Sequence, residues 1–356
     1  MWPIYKRLLQ RSNKPILVGP FTSEIGFESL YWVPFVQSLG IDPSRLIPIT
    51  RGGAAVWYGA PHGIELYDLR DPKDVRIENM VQHARTGLLK QTRVTAFDRS
   101  LLKDAAKAAG LTSYHVLHPS WMYQTLAPFW EGRVGLDWIL SRLTVEQTVN
   151  GVSQRAIANL RVLPLPETVK LPANFCAARF YFRSTFPHSQ VTLDCARECL
   201  KQIAQNQPVV LLNPDVHADE HVDVPVKDIP NVFKLSDFMK TAPRDNLAIQ
   251  SAVLAKSTGF VGTYGGLAQL ALRLGKPSVS FYWDWKGTSL AHKHLSEALS
   301  LNTGIAFLTL RLTDIPLLKT VAPNLSFQTS SSQGGLQQSG TQQPAPQPSH
   351  EEGILS

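Results

Sequence analysis

The sequence predicts an α/β protein made of two domains with a central cleft between them. Three observations carry this. Short apolar strands alternate with helical stretches along most of the chain. The alternation restarts after a proline-rich stretch in the middle. Each half also has a strand that runs straight into a glycine turn: Val18-Gly19-Pro20 near one end, and Phe260-Val261-Gly262-Thr263-Tyr264-Gly265-Gly266 near the other. Such turns present bare backbone amides and a helix N-terminus at the carboxyl edge of a parallel sheet, where α/β proteins hold phosphates.

The elements follow in order. Pro15 to Gly19 is a short apolar strand, and Glu24 to Leu39 is a helix that Pro34 should kink. Arg45 to Ile49 and Ile64 to Leu69 read as strands. Asp98 is the expected N-cap of a helix from Arg99 to Ala109, with Gly110 as its stop, and Tyr114 to Leu117 is a further strand. The segment 164–174 has the prolines of a linker between an N-terminal domain, 1–163, and a C-terminal one, 175–325. In the second half Phe175 to Phe182 is a strand, and Thr192 caps a helix from Leu193 to Gln205. Strands follow at Pro208 to Asn213, Phe260 to Thr263 and Pro277 to Tyr282. Helices lie at Asn246 to Lys256 and Leu267 to Leu274, and Gly304 to Leu310 is an edge strand. Residues 326–356 are Ser, Gln, Gly and Pro with almost nothing apolar, and are expected to be a disordered tail.

Composition narrows the classes of function. The 356 residues suffice for two domains, and no run of eighteen apolar residues is present to span a membrane. The N-terminus lacks the pattern of a signal peptide. Cys176, Cys195 and Cys199 have no metal-ligand spacing and read as reduced cytosolic thiols. Residues 1–165 carry 19 Lys and Arg against 13 Asp and Glu, whereas the remainder carries 16 against 15. A basic first half can attract a nucleotide, a lipid-linked phosphate or a membrane surface, or can simply be a solvated surface. The basic blocks with interleaved aromatics expected for nucleic acid are absent from the sequence.

The 259–279 unit, strand–glycines–helix–Gly275-Lys276-Pro277–strand, is the strongest motif. Gly262, Gly265 and Gly266 allow close approach of a ligand, and a helix opening near Leu267 offers free amides to a diphosphate. The alternative is a tight turn with no ligand. With Thr263, Tyr264, Gln269 and Arg244 these residues form the expected donor-binding set. In the first turn Glu24 and Glu28 stand one helical turn apart, beside Ser23. Acidic residues also favour a helix's first turn for its dipole alone. Arg179 and Arg183 share one face of a strand, with Arg183 at the carboxyl end, where a guanidinium can neutralise a leaving diphosphate. His217-Ala218-Asp219-Glu220-His221-Val222-Asp223 has metal-ligand residue types but not metal-ligand spacing, and is expected to be a loop rather than a metal site. Trp283 and Trp285 can stack on a base or a sugar, or pack in the core.

The segment Tyr264-Gly265-Gly266-Leu267-Ala268-Gln269-Leu270-Ala271 resembles the donor-side signature of two-domain GT-B glycosyltransferases, in particular the heptosyltransferase-like branch. Tyr264 stands where that branch has Asp, and Gln269 where it has His. The resemblance implies two Rossmann-like domains facing a cleft, and transfer of a sugar from a nucleotide-sugar to a glycan or lipid-linked acceptor in cell-envelope polysaccharide synthesis. It also implies Glu24 as general base, with Ser23 and Glu28 on the acceptor side and Arg183 at the leaving group. No metal and no cofactor beyond the nucleotide-sugar co-substrate is implied. The expected setting is cytoplasmic, with peripheral membrane contact. A nucleotide-sugar epimerase of the same architecture and a non-catalytic nucleotide-sugar-binding protein are the alternatives.

Overall fold

The computed structural model describes residues 2–85, 91–149, 152–213, 222–226, 229–284 and 290–312. The expected tail, the histidines at 217 and 221, and Trp285 lie outside these residues. Helix α1 (Trp2–Arg11) precedes a four-stranded parallel sheet of β1 (Ile16–Val18), β2 (Leu46–Thr50), β3 (Ile64–Glu65) and β4 (His115–Leu117), in the order β3-β2-β1-β4. The chain therefore moves outward from β1 through β2 to β3, then returns to the other side of β1.

A helical run follows β1: α2 (Ile25–Phe27), a π-helical turn (Glu28–Trp32) and α3 (Val33–Gln37). The π turn ends two residues before Pro34, where the sequence predicts a kink. Further helices of this half are α4 (Leu66–Leu69), α5 (Pro72–Arg85), α6 (Ala96–Ala108), α7 (Ser120–Trp130) and α8 (Leu136–Leu143), followed by a hairpin of β5 (Val145–Val149) and β6 (Val152–Ala156). The expected strand from Ile64 to Leu69 stops after two residues. The Glu65 carboxylate accepts the Tyr67 amide N–H at 3.2 Å and starts α4 instead.

The second sheet is six-stranded and parallel, in the order β11-β9-β7-β12-β13-β14. Its strands are β7 (Cys176–Arg179), β9 (Val209–Leu211), β11 (Val232–Lys234), β12 (Phe260–Thr263), β13 (Ser278–Tyr282) and the edge strand β14 (Phe307–Arg311), and a small antiparallel pair joins β8 (Tyr181–Phe182) to β10 (Val222–Asp223). The predicted strand 175–182 is thus two strands interrupted at Phe180. Helices α9 (Gln190–Ala204), α10 (Asn246–Lys256), α11 (Gly266–Arg273) and α12 (Leu290–Thr303) complete the described elements.

Two helix starts lie three residues earlier than predicted, for one reason. Thr95, not Asp98, caps α6, and Ser189, not Thr192, caps α9; Asp98 and Thr192 are the partners in reciprocal capping boxes. Gly110, at φ +64°, does end α6 as expected.

Alternation along the strands divides the core. Ile16 and Val18 point into one large cluster, while Leu17 points the other way, onto Leu101, Leu102 and Ala105 of α6. In the second sheet Ala177 and Phe260 face the large cluster, whereas Cys176, Ala178 and Val261 pack against α9. The large cluster therefore draws on both sheets and is continuous between the two halves. All three cysteines are free and buried, and burial pushes the Cys195 thiol up to about 12.

Candidate active site

Each sheet has one point where the strand order reverses: between β1 and β4 in the first, and between β7 and β12 in the second. Crevices at the carboxyl ends of such strand pairs are where open α/β sheets take ligands. Here the two reversal points face each other. A Cβ placed on Gly266, at the start of α11, would lie 3.0 Å from the Gly26 amide nitrogen and 3.1 Å from the Ile25 Cβ in α2. The turn carrying Glu24 and the turn carrying Gly265 thus form one locale.

The turn after β1 is built to hold its shape. Gly19 has φ +127°, and a Cβ there would stand 2.6 Å from the Ile49 carbonyl oxygen. The buried Gln91 side chain accepts the Thr22 N–H at 3.0 Å and donates to the Pro20 carbonyl at 2.9 Å. Gln91 in turn leans on Asp98 (3.3 Å), which Thr95 and His118 fix from the other side. Arg51 donates to the carbonyls of Phe21 and Ser23, and the Tyr123 hydroxyl donates to Ser23 Oγ at 3.3 Å. At the end of this braced turn Glu24 is exposed, in the N-cap position of α2 with extended backbone. Burial raises the Tyr123 phenol above its usual range, against the pull of its hydrogen bond to Ser23, and the charge of Glu24 adds to the rise.

Glu28 is differently placed. It is fully buried, and its Oε1 accepts the Thr50 hydroxyl at 2.5 Å and the Tyr58 hydroxyl at 2.7 Å. Its Oε2 lacks a hydrogen-bond partner, and burial raises the pKa above the ordinary value, against the pull of Arg51. A carboxyl sealed in this way faces the interior rather than an acceptor. Glu65 accepts the N–H groups of Gly52 and Gly53 at 3.0 and 2.8 Å, and burial lifts its pKa to about 7.

On the opposite side, Thr263 Oγ1 accepts the Tyr181 N–H and donates to the Tyr181 carbonyl, both at 3.0 Å, which ties β8 to the end of β12. Gly262 lies mid-sheet, where a Cβ would meet the Arg179 carbonyl oxygen at 2.1 Å. Gly265 has Tyr181 and Arg183 over it: its Cβ would lie 2.2 Å from the Tyr181 hydroxyl and 3.3 Å from Arg183 Nη1. The intrahelical ladder first closes with Gln269 N–H to the Gly265 carbonyl at 3.2 Å, so the amides of Gly266, Leu267 and Ala268 open the helix ahead of it. Arg183 is half-buried, its backbone pinned by reciprocal bonds with Phe186 at 2.9 and 3.0 Å. Tyr264 is buried, and desolvation raises its pKa, while Gln269 and Arg183 act in the opposite sense.

The predicted residues do not all converge. Ser23, Glu24, Gly265, Gly266 and Arg183 belong to the facing turns. Gln269 covers Gly26, where an added Cβ would meet its Oε1 at 2.2 Å, and Leu267 is core. Arg244 pairs with Asp68 of the other half at 2.9 Å. Arg179 is buried and held by Asp223 at 2.9 Å, the ion-pair alternative to a ligand role. No group of three or more metal-ligating side chains occurs among the described residues.

The seam around these turns is tightly packed. Ala248 N–H donates to the Gly52 carbonyl at 2.8 Å, and Trp57 Nε1 to Ser251 Oγ at 3.0 Å. Tyr31 shares a 2.8 Å hydrogen bond with His292 of α12, whose ring meets Phe27 edge-on at 4.3 Å. Arg273 of α11 is buried and donates to the carbonyls of Ser29 (3.2 Å) and Ala158 (2.6 Å). Sequence reading missed Gln91, Arg51, Tyr123 and Arg273. Only Arg273, a cation inside the apolar run Leu267-Ala268-Gln269-Leu270-Ala271-Leu272, left a visible signal.

No protein-family profile matches the chain, and no curated protein matches it. Solved structures do. The E. coli heptosyltransferase WaaC with ADP is 14% identical over 86% of this chain and 99% of its own, with a TM-score of 0.42. A glycosyl transferase of family 9 from Veillonella parvula is 11% identical over 88% and 90%, also with a TM-score of 0.42. The iron-containing dodecameric glycosyltransferase TibC from enterotoxigenic E. coli is 14% identical over 77% of this chain and 59% of that one, with a TM-score of 0.38. Likeness at this level carries no information on activity.

Proposed function

We propose that this chain is a glycosyltransferase that moves a sugar from a nucleotide-sugar to a glycan or lipid-linked acceptor. One observation carries the reading: the facing of two strand-order reversal points through Gly26 and Gly266. It places a carboxylate, Glu24, on one side of a single locale, and a guanidinium, Arg183, with helix-opening amides on the other. That is the charge distribution a group transfer from a diphosphate needs.

In the proposed step the acceptor hydroxyl loses its proton to the Glu24 carboxylate. Its oxygen bonds to the anomeric carbon, and the bond from that carbon to the diphosphate oxygen breaks. The electron pair leaves with the nucleoside diphosphate, and Arg183 with the amides near Gly265 and Gly266 stabilises that charge. Ser23 would orient the acceptor. The scheme requires no metal, so chelator should leave the rate unchanged. A role in envelope polysaccharide synthesis, a cytoplasmic setting and peripheral membrane contact belong to the same proposal.

A thermal-shift panel of UDP, GDP, CMP and ADP, each with and without sugars attached, tests the donor half of the reading. Selective stabilisation by one nucleoside diphosphate is expected, amounting to about 2.7 kcal/mol at a hundredfold excess over Kd. Lack of response to every member of the panel sinks it. With the donor identified, Glu24→Gln should abolish product while the thermal shift persists.

A further inference from the structure

We infer that α1 is a membrane-docking helix that lies on an anionic phospholipid surface through its Ile4/Leu8 face. This rests on the reading above only for the idea of a lipid-linked acceptor; the contact itself needs no turnover. The helix has two faces. Trp2, Tyr5 and Leu9 turn inward, with Trp2 and Tyr5 packed on Trp121 of α7 at ring distances of 5.1 and 5.3 Å. Ile4, Arg7, Leu8 and Arg11 turn outward with the spacing of one helical stripe, and Ile4 and Leu8 are 74% and 48% exposed.

An exposed apolar pair alone names no partner; the charge around it does. Arg7 and Arg11 stand on the stripe itself, between and beyond Ile4 and Leu8, Lys14 follows the helix, and the first carboxylate in the sequence is Glu24. The side chains of Arg7 and Arg11 have no hydrogen bond or ion pair among the described residues. Asp42, in the adjoining turn, is occupied by the Ser44 amide at 2.9 Å. Apolar side chains rimmed by arginine fit the boundary between acyl chains and anionic headgroups.

The helix is also fixed rigidly enough to act as a docking surface. Tyr5 donates to the Val116 carbonyl at 2.7 Å, Gln10 to the Leu39 carbonyl at 2.7 Å, and Arg45 to the Leu9 carbonyl at 2.9 Å. Its outward stripe is therefore held in place on the first half. The same α7 that supports it through Trp121 reaches Ser23 through Tyr123 two residues later. One helix thus separates the docking face from the turn proposed to take the acceptor.

The test is flotation of the full chain with vesicles of phosphatidylcholine, alone or mixed with phosphatidylglycerol. Binding is expected only to the mixed vesicles, and it should weaken as salt rises. The double changes Ile4→Glu with Leu8→Glu, and Arg7→Gln with Arg11→Gln, should each lower partitioning by about tenfold or more. All four side chains are exposed, so both variants should keep the parent's circular dichroism and melting temperature. Equal binding by the Ile4/Leu8 variant, equal binding to neutral vesicles, or no binding at all would overturn the inference. If the parent is instead a dimer that Ile4→Glu with Leu8→Glu makes monomeric, and vesicles are ignored, the face belongs to a second copy and the membrane inference is wrong. Because no donor or turnover enters the measurement, a failure of the glycosyltransferase reading leaves this result standing.

Discussion

Arg273 donates its Nε hydrogen to the Ser29 carbonyl, an acceptor that Pro34 leaves without a backbone partner. In the π turn the Val33 N–H bonds to the Glu28 carbonyl, five residues back. The next bond in that register would run from residue 34 to Ser29, and proline has no N–H to give. A side chain from the other half of the molecule supplies the missing donor. The contact locks α11, which opens at Gly266, to the helical run that opens beyond Glu24.

The first prediction tests this coupling. Arg273→Met strands the buried Ser29 carbonyl, at a cost of about 1–3 kcal/mol, and frees the half-buried Ala158 carbonyl, partly offset because a buried guanidinium no longer has to be desolvated. Pro34→Ala restores a backbone donor in the π register. Urea unfolding of the parent, both single variants and the double should give a coupling of about 1 kcal/mol, with Arg273→Met milder in the Pro34→Ala background. Strict additivity would show that Arg273 does not stand in for the missing N–H.

Two glycines, one in β12 and one in the turn after β1, should differ in tolerance. At Gly262 the obstacle to a Cβ is the Arg179 backbone carbonyl at 2.1 Å, in a strand paired on both sides. At Gly26 it is the tip of the Gln269 side chain at 2.2 Å, which can swing away. Gly262→Ala should therefore cost about 1–3 kcal/mol or more through overpacking. Gly26→Ala should cost less, because alanine's higher helix propensity returns up to about 1 kcal/mol. Equal shifts in the urea midpoint would contradict the steric account.

Buried carboxyls predict the pH dependence. Burial raises both Glu28 and Glu65 above the ordinary glutamate value of 4.5, Glu65 to about 7. A carboxyl whose folded pKa exceeds its unfolded pKa contributes stability that is fully present below the unfolded value. That contribution is lost as pH rises through the folded value. Stability should therefore decline as pH rises above about 4.5, the Glu65 part being lost through about pH 7. Glu28→Gln keeps the size and the hydrogen bonding to Thr50 and Tyr58 while removing the charge. It should flatten part of the slope and leave the variant more stable than the parent at neutral pH. A variant with the parent's slope across a pH series of urea unfolding would mean that Glu28 carries no part of the pH dependence.

The parts of this fold legible from sequence are those that obey local rules. Residues 246–256 and 260–263 were predicted with their observed bounds, because a helical apolar period and a continuous apolar run depend only on near neighbours. The helix starts at Thr95 and Ser189 were misplaced because a capping box contains two residues able to cap, and periodicity does not say which one lies outside the helix. The strand at Ile64 ended early because a carboxylate reached forward to a backbone amide. Glycines marked both facing turns, but nothing local revealed what braces them. Gln91 lies 69 residues from Thr22, and Tyr123 lies 100 from Ser23. Glu28 reads as a surface residue of a first helical turn, and only the packing of Thr50 and Tyr58 around it shows that it is interior.

Arg183 and Glu24 should fail in opposite ways. Arg183 sits over Gly265 on the proposed donor side, and its backbone is already fixed by Phe186, so changing its side chain removes charge without unmaking the turn. Arg183→Ala should weaken binding of the nucleoside diphosphate by about ten- to a hundredfold, since charge-assisted bonds to phosphate are worth roughly 1.5–3 kcal/mol. Arg183→Lys should recover only part of this, because an ammonium cannot make the paired contacts of a guanidinium. Glu24→Gln, on the proposed acceptor side, should leave that affinity near the parent's while removing turnover. Calorimetric titration of the nucleotide into all three variants, paired with product assays, reads both effects on the same protein. If Glu24→Gln loses nucleotide affinity as severely as Arg183→Ala, the two residues do not serve separate substrates, and the division of labour across the Gly26–Gly266 contact is wrong.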